Sequence, residues 1–210
     1  MYFDAEKLKK EQLKLARGIN TKPEFERADI LGGCDFVNGD KYIICSIVVY
    51  DTKEEKIVDQ QTVSLPEELP YIPSFIFYRE GPAAIEAYHK LTVRPDIMFV
   101  KGHGICHPRG IGIASHLGLV LDVPTIGIAH KLLCGEARNG YVYFDDARVG
   151  AVVQTREFSK PIIISPGYRI NLKAAVELVK NNCIPPHKLP EPLHLAHRFA
   201  SKEKKGKDDE

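Results

Sequence analysis

The segment PDIMFVKGHGICHPRGIGIASHLGLVLDVPTIGIA, residues 95 to 129, determines the fold that we predict. Its first six residues are an apolar run typical of a buried strand, and the run ends at Lys101 in a loop with alternating glycines and two histidines. A helix is predicted from about Ile111 to Leu121, and a second apolar strand, PTIGIA, follows it. Strand, crossover helix and strand in this order predict two parallel strands joined by a right-handed connection.

The residues before this segment predict two helices and an antiparallel unit. Residues 29 to 64 contain three β-rich runs separated by the turn signals NGD and DTKEEK, so we predict a three-stranded antiparallel meander. Before the meander, Asp4 is expected to cap a helix that ends before Gly18. After it, FIFYREGPAAIEAYHKLT predicts a helix interrupted near Gly81 and Pro82, because proline is well accommodated in the first turn of a new helix.

Two further strands and a helix are predicted near the end of the sequence. GAVVQT and PIIISPG resemble buried strands, Asn171 is expected to cap the helix NLKAAVELVKNN, and PPHKLPEPLHLAHRF is interpreted as an extended basic arm. Residues 1 to 200 are therefore interpreted as one α/β domain, in which a mixed sheet of an antiparallel meander and parallel strands is flanked by helices. Residues 201 to 210 are interpreted as a disordered polar tail.

The composition is that of an ordinary globular protein. The chain has 29 basic and 28 acidic residues among 210, so net charge indicates no partner, and a nucleic-acid binder would have to concentrate positive charge locally. Its five cysteines form no CxxC pair, which argues against a disulfide framework or a zinc ribbon and favours a reducing compartment. We find no signal peptide and no bilayer-spanning apolar run, and we expect a cytoplasmic protein that does not contact a membrane.

Two acidic residues are candidate metal ligands. Asp35 follows Gly32 and Gly33 inside an apolar strand, where a buried carboxylate needs a partner or a cation, and the glycines would let another backbone or a ligand approach. Glu80 closes the run PYIPSFIFYRE. Because Mg²⁺ prefers hard oxygen ligands, the two carboxylates together are a candidate magnesium site. The alternative is a solvent-facing Asp35 and a surface ion pair between Glu80 and Arg79.

The loop GHGICHPRG combines several functional side chains with flexible backbone. Gly102 and Gly104 permit close approach, and His107 and Arg109 place a titratable ring and a bidentate phosphate donor just before a helix whose first amides attract anions. The alternative is a glycine-rich turn with solvated side chains. The aromatic residues around the two prolines near Tyr71 form either core or a wedge that unstacks bases.

Three segments together resemble the endonuclease V family, which cleaves nucleic acid beside deaminated adenine. They are GGCDF, LPYIPSFIFYREGP and GHGICHPRGIGIASHLGLVLDVPTIGIA, and the endings ISPGYRI and LPEPLHLAHR are similar to the family's last motifs. The resemblance implies a ribonuclease H-like fold, dependence on Mg²⁺ with Mn²⁺ as a substitute, binding of inosine-containing DNA or RNA, and cleavage 3′ to the lesion. We expect the chain to act as a monomer.

The resemblance also assigns roles to individual residues. By position, Asp35 and Glu80 match two metal-binding carboxylates of the family, and Tyr71 lies within its Pro-Tyr-Ile-Pro wedge. The predicted catalytic residues are Asp35, Glu80, Lys101 and His107, and the predicted substrate contacts are Tyr71, Pro73, Gly102, His103, Gly104, Arg109, His130, Lys131 and Tyr168.

Three positions depart from the family's pattern. Lys101 stands where the strand ordinarily ends in a third metal-binding aspartate, His130 stands before Lys131 where a lysine is usual, and Tyr168 replaces a histidine near the metal. A protonated lysine cannot donate a lone pair to a metal. At about 4 Å and an effective dielectric near 20, each unit pair is worth about 4 kcal/mol, so an attraction becomes a repulsion of similar size. The usual metal arrangement cannot be retained unchanged.

Two functions are compatible with these residues. In the first, the chain is a nuclease in which Asp35 and Glu80 hold one Mg²⁺, Lys101 supplies positive charge to the cleaved phosphate, and His103 or His107 positions water. In the second, catalysis is lost or impaired and the chain binds inosine-containing or distorted nucleic acid. We favour the nuclease, because both acids and the wedge are present.

Overall fold

The computed structural model describes residues 4 to 209, which contain five α-helices, one 3₁₀ turn and nine strands. The helices are α1 (Ala5–Ala16), α2 (Ile76–Lys90), α3 (Ile113–Leu121), α4 (Leu172–Asn181) and α5 (Glu191–Asp208), and the 3₁₀ turn is Pro73–Phe75. The strands are β1 (Ile30–Asn38), β2 (Tyr42–Asp51), β3 (Lys56–Pro66), β4 (Ile97–Lys101), β5 (Thr125–Ala129), β6 (Glu136–Arg138), β7 (Tyr141–Phe144), β8 (Ala147–Val153) and β9 (Ile162–Tyr168).

The nine strands form one mixed sheet in the order β3-β2-β1-β4-β5-β9-β8-β7-β6. β1 to β3 pair antiparallel as the predicted meander, and β4 is parallel to both β1 and β5, so the predicted α/β mixed sheet is confirmed. The strands beyond β5 are antiparallel, whereas the sequence predicted further parallel strands. Residues 154 to 161 join β8 to β9, and this connection is shorter than the dozen or more residues that a crossover between parallel strands needs. The short strands β6 and β7 were not predicted.

Side chains alternate across the central strands and separate two cores. Leu31 of β1 and Phe99 of β4 pack with residues of α4 and α5 on one face, while α2 and α3 cover the other face. Asp35 lies four residues after Leu31 and Lys101 lies two residues after Phe99, and even spacings along a strand keep side chains on the same face. Both side chains therefore belong to the face that α5 covers.

Helix α2 runs without interruption through Gly81 and Pro82, in contrast to the prediction. Proline lacks a backbone donor, so one helical hydrogen bond is missing at this point. The small residues Ala83, Ala84 and Ala87 are buried against the sheet, and this packing keeps the helix in place beyond the proline. The helix therefore carries Glu80 in a fixed orientation relative to the sheet.

The end of the chain also differs from the prediction of an extended arm and a disordered tail. α5 includes residues 201 to 208, which were expected to be disordered. Its buried residues Leu193, Ala196 and Ala200 have helical spacing and pack against the sheet. Pro192 lies in the first turn, where a helix tolerates proline, so its ring does not break the helix.

Several smaller predictions agree with the structure. Asp4 caps α1 by accepting from the Lys7 N–H at 3.0 Å, and Asn171 caps α4 by accepting from the Ala174 N–H at 2.8 Å. The five cysteines are free. Between residues 4 and 209, none of the helices has the length and apolar content needed to cross a bilayer.

Candidate functional site

The carboxyl ends of β1, β4 and β5 meet at one edge of the sheet, because these three strands are parallel. An open cavity of about 350 Å³ lies at this edge, between α2 and the residues that follow β4 and β5. It brings together about half of the predicted catalytic and substrate-binding residues: Tyr71, Glu80, Lys101, Gly102, His103, His130 and Lys131. We refer to this space as the edge cavity.

Asp35 and Lys101 form an ion pair at the end of β1 and β4. Lys101 Nζ lies 2.7 Å from Asp35 Oδ1, and the Phe36 N–H donates to the same oxygen at 2.5 Å. The Asp35 side chain is 1% exposed, whereas the Lys101 side chain is 34% exposed. The lysine therefore compensates the charge of a buried carboxylate. This explains why a cationic residue is compatible with the end of β4.

His197 of α5 also faces Asp35, although the sequence analysis did not select it. Its Nδ1 lies 3.1 Å from Asp35 Oδ2, without the alignment of a hydrogen bond. The helix approaches closely because β1 has Gly33 at this point, where a Cβ would lie 2.1 Å from the carbonyl carbon of Pro192. The signal in the sequence was Gly33, two residues before Asp35. His197 was missed as a neighbour of Asp35 because the segment around His197 was interpreted as extended.

Glu80 reaches the edge cavity from α2, which lies on the opposite face of the sheet from α5. Glu80 is 7% exposed, and burial raises its pKa to about 7, against the lowering effect of the Arg79 and Lys101 charges. Arg79 lies 3.5 Å from Glu80 but 2.7 Å from Glu67, and its side chain is buried. The surface ion pair considered for Glu80 and Arg79 is therefore a buried arrangement in which Glu67 is the nearer partner.

The acidic residues at this edge do not fit a divalent cation in this arrangement. In the part of the chain from residue 4 to 209, no three His, Cys, Asp or Glu side chains come close enough to hold a metal ion. One Asp35 oxygen faces the Lys101 ammonium and the other faces the His197 ring. An ammonium offers only hydrogen-bond donors and repels a cation. The metal-binding role of Asp35 and Glu80 therefore stays a prediction, and in this arrangement Lys101 and His197 face the Asp35 carboxylate.

Only the first half of the loop after β4 lines the edge cavity. Gly102 and His103 border it, and His103 Nδ1 is buried with no hydrogen-bond partner among the described residues. Burial lowers the pKa of His103. Gly104 instead faces β9, because its N–H donates to Ser165 Oγ at 2.8 Å and a Cβ would lie 1.9 Å from the Pro166 carbonyl oxygen. Gly104 therefore packs the loop against β9 and does not line the edge cavity, and its predicted substrate contact stays a prediction.

His107 and Arg109 hold the 3₁₀ turn before α2 and do not line the edge cavity. His107 Nε2 lies 3.0 Å from the Ser74 carbonyl oxygen, and Arg109 Nη2 donates to the same oxygen at 2.7 Å. Arg109 Nε donates to Gln12 Oε1 at 2.5 Å, and its guanidinium carbon lies 4.5 Å from the centre of the Phe75 ring. Burial lowers the pKa of His107 to about 4, so the ring is neutral at pH 7. The structure gives both residues contacts that hold the turn, and their predicted catalytic and phosphate-binding roles stay predictions.

Tyr71 is an exposed aromatic residue at the rim of the edge cavity. It is 57% exposed, and the Arg79 guanidinium carbon lies 5.7 Å from the centre of its ring. The 3₁₀ turn follows two residues later at Pro73, which does not itself line the edge cavity. Because His107 and Arg109 fix this turn, the backbone that presents the Tyr71 ring is anchored close to it.

The remaining predicted contacts lie at opposite ends of β5. His130 and Lys131 follow its carboxyl end, are exposed, and line the edge cavity. Burial lowers the pKa of the partly enclosed His130 ring. Tyr168 pairs with Thr125 at the amino end of β5 and is 8% exposed. Because β9 is antiparallel to β5, Tyr168 lies at the other edge of the sheet and is not brought to the cavity.

The fold and the edge cavity together define a class of protein. An antiparallel meander that continues into parallel strands, with acidic residues from β1 and α2 near the edge where the parallel strands end, is a ribonuclease H-like architecture. Within this class, the model of the Endonuclease V family matches residues 13 to 198, and the chain belongs to that family.

Curated relatives and solved structures agree with this assignment. The chain is 37% identical to Endonuclease V of Protochlamydia amoebophila over 203 residues, which cover 90% of this chain and 86% of the relative. It is 38% identical to Endonuclease V of Thermosipho melanesiensis over 207 residues, with coverages of 95% and 91%. Human ENDOV has a similar structure, with a TM-score of 0.88, 25% identity and coverages of 98% and 100%.

A second solved structure is relevant to ligands. Endonuclease V of Ciona intestinalis, solved in complex with a 24mer DNA containing an inosine followed by a ribo-adenosine, matches with a TM-score of 0.84 and covers 96% of this chain. The match covers 98% of that chain at 23% sequence identity, so it supports the fold alone.

Proposed function

We propose that this chain recognises inosine in nucleic acid, with the displaced base entering the edge cavity. Family membership supports the proposal, and a family relative has been solved with inosine-containing DNA. Proteins that read a displaced base need a pocket and an aromatic or apolar side chain that replaces lost stacking. The edge cavity and Tyr71 offer both, and one chain supplies all of these residues, so the proposal requires only a monomer.

Polar groups at the edge cavity suit a base rather than an apolar ligand. His103 borders the cavity, and its Nδ1 has no hydrogen-bond partner within residues 4 to 209. The imidazole ring of His103 at the cavity wall carries one donor and one acceptor when it is neutral, and these are groups with which a base edge can pair. His130 and Lys131 add polar and cationic groups at the rim, where the phosphates that flank a displaced base would pass.

The observation that supports binding over cleavage is the ion pair of Asp35 and Lys101 at 2.7 Å. Lys101 itself supplies the positive charge beside the buried Asp35 carboxylate, so binding would not require a divalent metal. We therefore propose inosine-directed binding as the function that the geometry favours. The second candidate is cleavage of a phosphodiester bond 3′ to the lesion with Mg²⁺ or Mn²⁺. It is favoured by the presence of Asp35 and Glu80 at the same sheet edge.

Binding is tested by fluorescence anisotropy with labelled DNA and RNA that contain inosine or adenine at one position. We expect inosine to bind at least about tenfold tighter in EDTA, a difference of about 1.4 kcal/mol. Tyr71→Ala should lower the affinity for the inosine-containing strand about tenfold, because stacking on an aromatic residue is worth about 1–3 kcal/mol. Tyr141→Ala is the matched control, since Tyr141 is also exposed beside an arginine but does not line the edge cavity. Equal affinity for inosine and adenine would reject the proposal.

Cleavage is tested on the same oligonucleotides by gel electrophoresis with Mg²⁺ or Mn²⁺. If the natural chain does not nick inosine-containing strands and Lys101→Asp does, the binding function is supported, because the variant restores an acid at the end of β4. If the natural chain nicks and Asp35→Ala abolishes nicking, the second candidate is correct. Circular dichroism of each variant separates loss of folding from loss of activity.

A further inference from the structure

We propose that the exposed face of α5 carries the phosphate backbone of nucleic acid away from the edge of the sheet where Asp35 lies. The inference rests on the proposed function and extends it to a second surface. The surface is formed by Arg198, Lys202 and Lys205, and we call it the α5 track. These three residues lie four and three positions apart, which places them on one face of a helix.

The α5 track lies in a groove of about 570 Å³. Arg198, Lys202 and Lys205 all line this groove, and no acidic residue does. Leu195, Phe199 and Ile57 supply its apolar part. A concave surface that combines cations with apolar side chains and lacks carboxylates suits a polyanion with an apolar sugar portion, as in a nucleic-acid strand.

The three cations of the α5 track keep their charge available for a ligand. Within residues 4 to 209, none of them forms an ion pair, although α5 also carries Lys204, which lies 3.9 Å from Asp208. Like charges on one helical face repel each other and destabilise a helix by a few tenths of a kcal/mol per pair. Partners that relieve this repulsion are therefore expected outside the helix, and phosphate oxygens are such partners.

The α5 track is continuous with the edge of the sheet. His197 lines the same groove and also lies 3.1 Å from Asp35 Oδ2. From His197 to Lys205 the helix rises about 12 Å at 1.5 Å per residue, a length that covers about three to four phosphates of one duplex strand. A backbone that passes the Asp35 edge can therefore continue along α5 without leaving the protein surface.

Part of this surface lies beyond the residues that the family model matches. The family model matches residues 13 to 198, so Lys202 and Lys205 lie beyond it. The helix is nevertheless held at its end, because the Tyr42 hydroxyl donates to Asp208 at 2.9 Å and Lys207 Nζ lies 5.5 Å from the centre of the Tyr42 ring. The outer two cations of the track are thus presented on a helix that contacts the body of the protein at both ends.

The test is a charge reversal of the outer part of the track. We expect Lys202→Glu/Lys205→Glu to weaken binding of inosine-containing duplex and of its adenine counterpart equally, by about tenfold or more at low salt. The slope of log affinity against log salt should become shallower by about two, because about two phosphate contacts are lost. The neutral pair Lys202→Gln/Lys205→Gln should show a smaller loss in the same direction.

A matched control comes from α4, where Lys173 and Lys180 line a groove of about 580 Å³ that also contains Glu177. Lys173→Glu/Lys180→Glu should leave affinity and salt slope unchanged, and both double variants should retain the natural melting temperature. If the α5 and α4 variants behave alike while the natural chain still prefers inosine, the track is rejected and the proposed function stands. If the natural chain shows no salt-dependent affinity for nucleic acid, both proposals fail.

Discussion

The two ends of the parallel strands hold a carboxylate in different ways. At the amino end, Asp96 Oδ2 accepts from the backbone N–H groups of Asp29 and Ile30 at 3.2 and 3.0 Å. At the carboxyl end, Asp35 is paired with the side chain of Lys101, which is one-third exposed. Backbone donors are fixed by the sheet, whereas a partly exposed lysine can change rotamer and meet another anion. The carboxylate at the amino end is thus held by fixed backbone donors, whereas the carboxylate at the carboxyl end depends on a partly exposed side chain.

Among the substitutions that test this difference, removal of the Lys101 charge should have the largest effect on the free energy of unfolding. Lys101→Met keeps the length of the side chain but leaves the buried Asp35 carboxylate without its cation. Breaking a buried ion pair by removing one partner costs about 3 kcal/mol or more. We expect the free energy of unfolding at pH 7 to fall by about this amount, measured by urea denaturation.

A double-mutant cycle separates the ion pair from other effects of the Lys101 substitution. Lys101→Met/Asp35→Asn removes both charges, so it should be more stable than Lys101→Met alone. Additive effects of the two single substitutions would show that the pair does not interact in solution. The carboxyl end would then not differ from the amino end in the way that the distances indicate.

A substitution at the amino end should have a smaller effect and should not change binding. Asp96→Ala leaves the N–H groups of Asp29 and Ile30 without their acceptor, which costs about 2 kcal/mol. Because Asp96 lies at the far end of β4 from the edge cavity, affinity for inosine-containing strands should remain that of the natural chain. A loss of affinity in the folded variant would show that the two ends are coupled.

Much of the fold could be predicted from the sequence because it is encoded locally. The meander was marked by turn signals between apolar runs, and the parallel pair β4 and β5 by a strand, a helix and a strand in succession. The direction of β9 was not visible, since it depends on the hairpin with β8 and on pairing with β5. α5 was missed because its prolines suggested an extended chain, while the contacts that stabilise it come from distant strands.

The sequence predicted several residues of the candidate site but not what each of them contacts. Lys101, Glu80 and Tyr71 lie at the edge cavity as the motifs indicated. The sequence could not show that His107 would contact the Ser74 carbonyl, because that contact joins two loops 33 positions apart. Nor could it show His197 beside Asp35, because only the packing of α5 on Gly33 brings the ring there.

The smallest effect that we predict is a pH dependence that comes from Glu80, near the carboxyl end. Burial raises the pKa of Glu80 in the folded chain to about 7, whereas the ordinary value is 4.5. Between these values the folded state retains a proton that the unfolded chain has released. The contribution of protonated Glu80 to the free energy of unfolding is therefore complete below the unfolded pKa and is lost as the pH rises through the folded pKa. The natural chain should lose about 1 kcal/mol between pH 6 and pH 7 relative to Glu80→Gln.

Glu86→Gln is the matched control for this measurement, because Glu86 lies on the same helix but in an exposed ion pair with Lys90 at 2.7 Å. It should follow the pH profile of the natural chain. At the other end of the strands, burial alone would raise the pKa of Asp59, but hydrogen bonds from Val93 and Thr92 lower it to about 2. Asp59 is therefore ionised in both states at pH 6 to 7 and contributes no slope there. A natural chain that became more stable than Glu80→Gln across this range would contradict the assignment of a buried acid with a raised pKa to the carboxyl end.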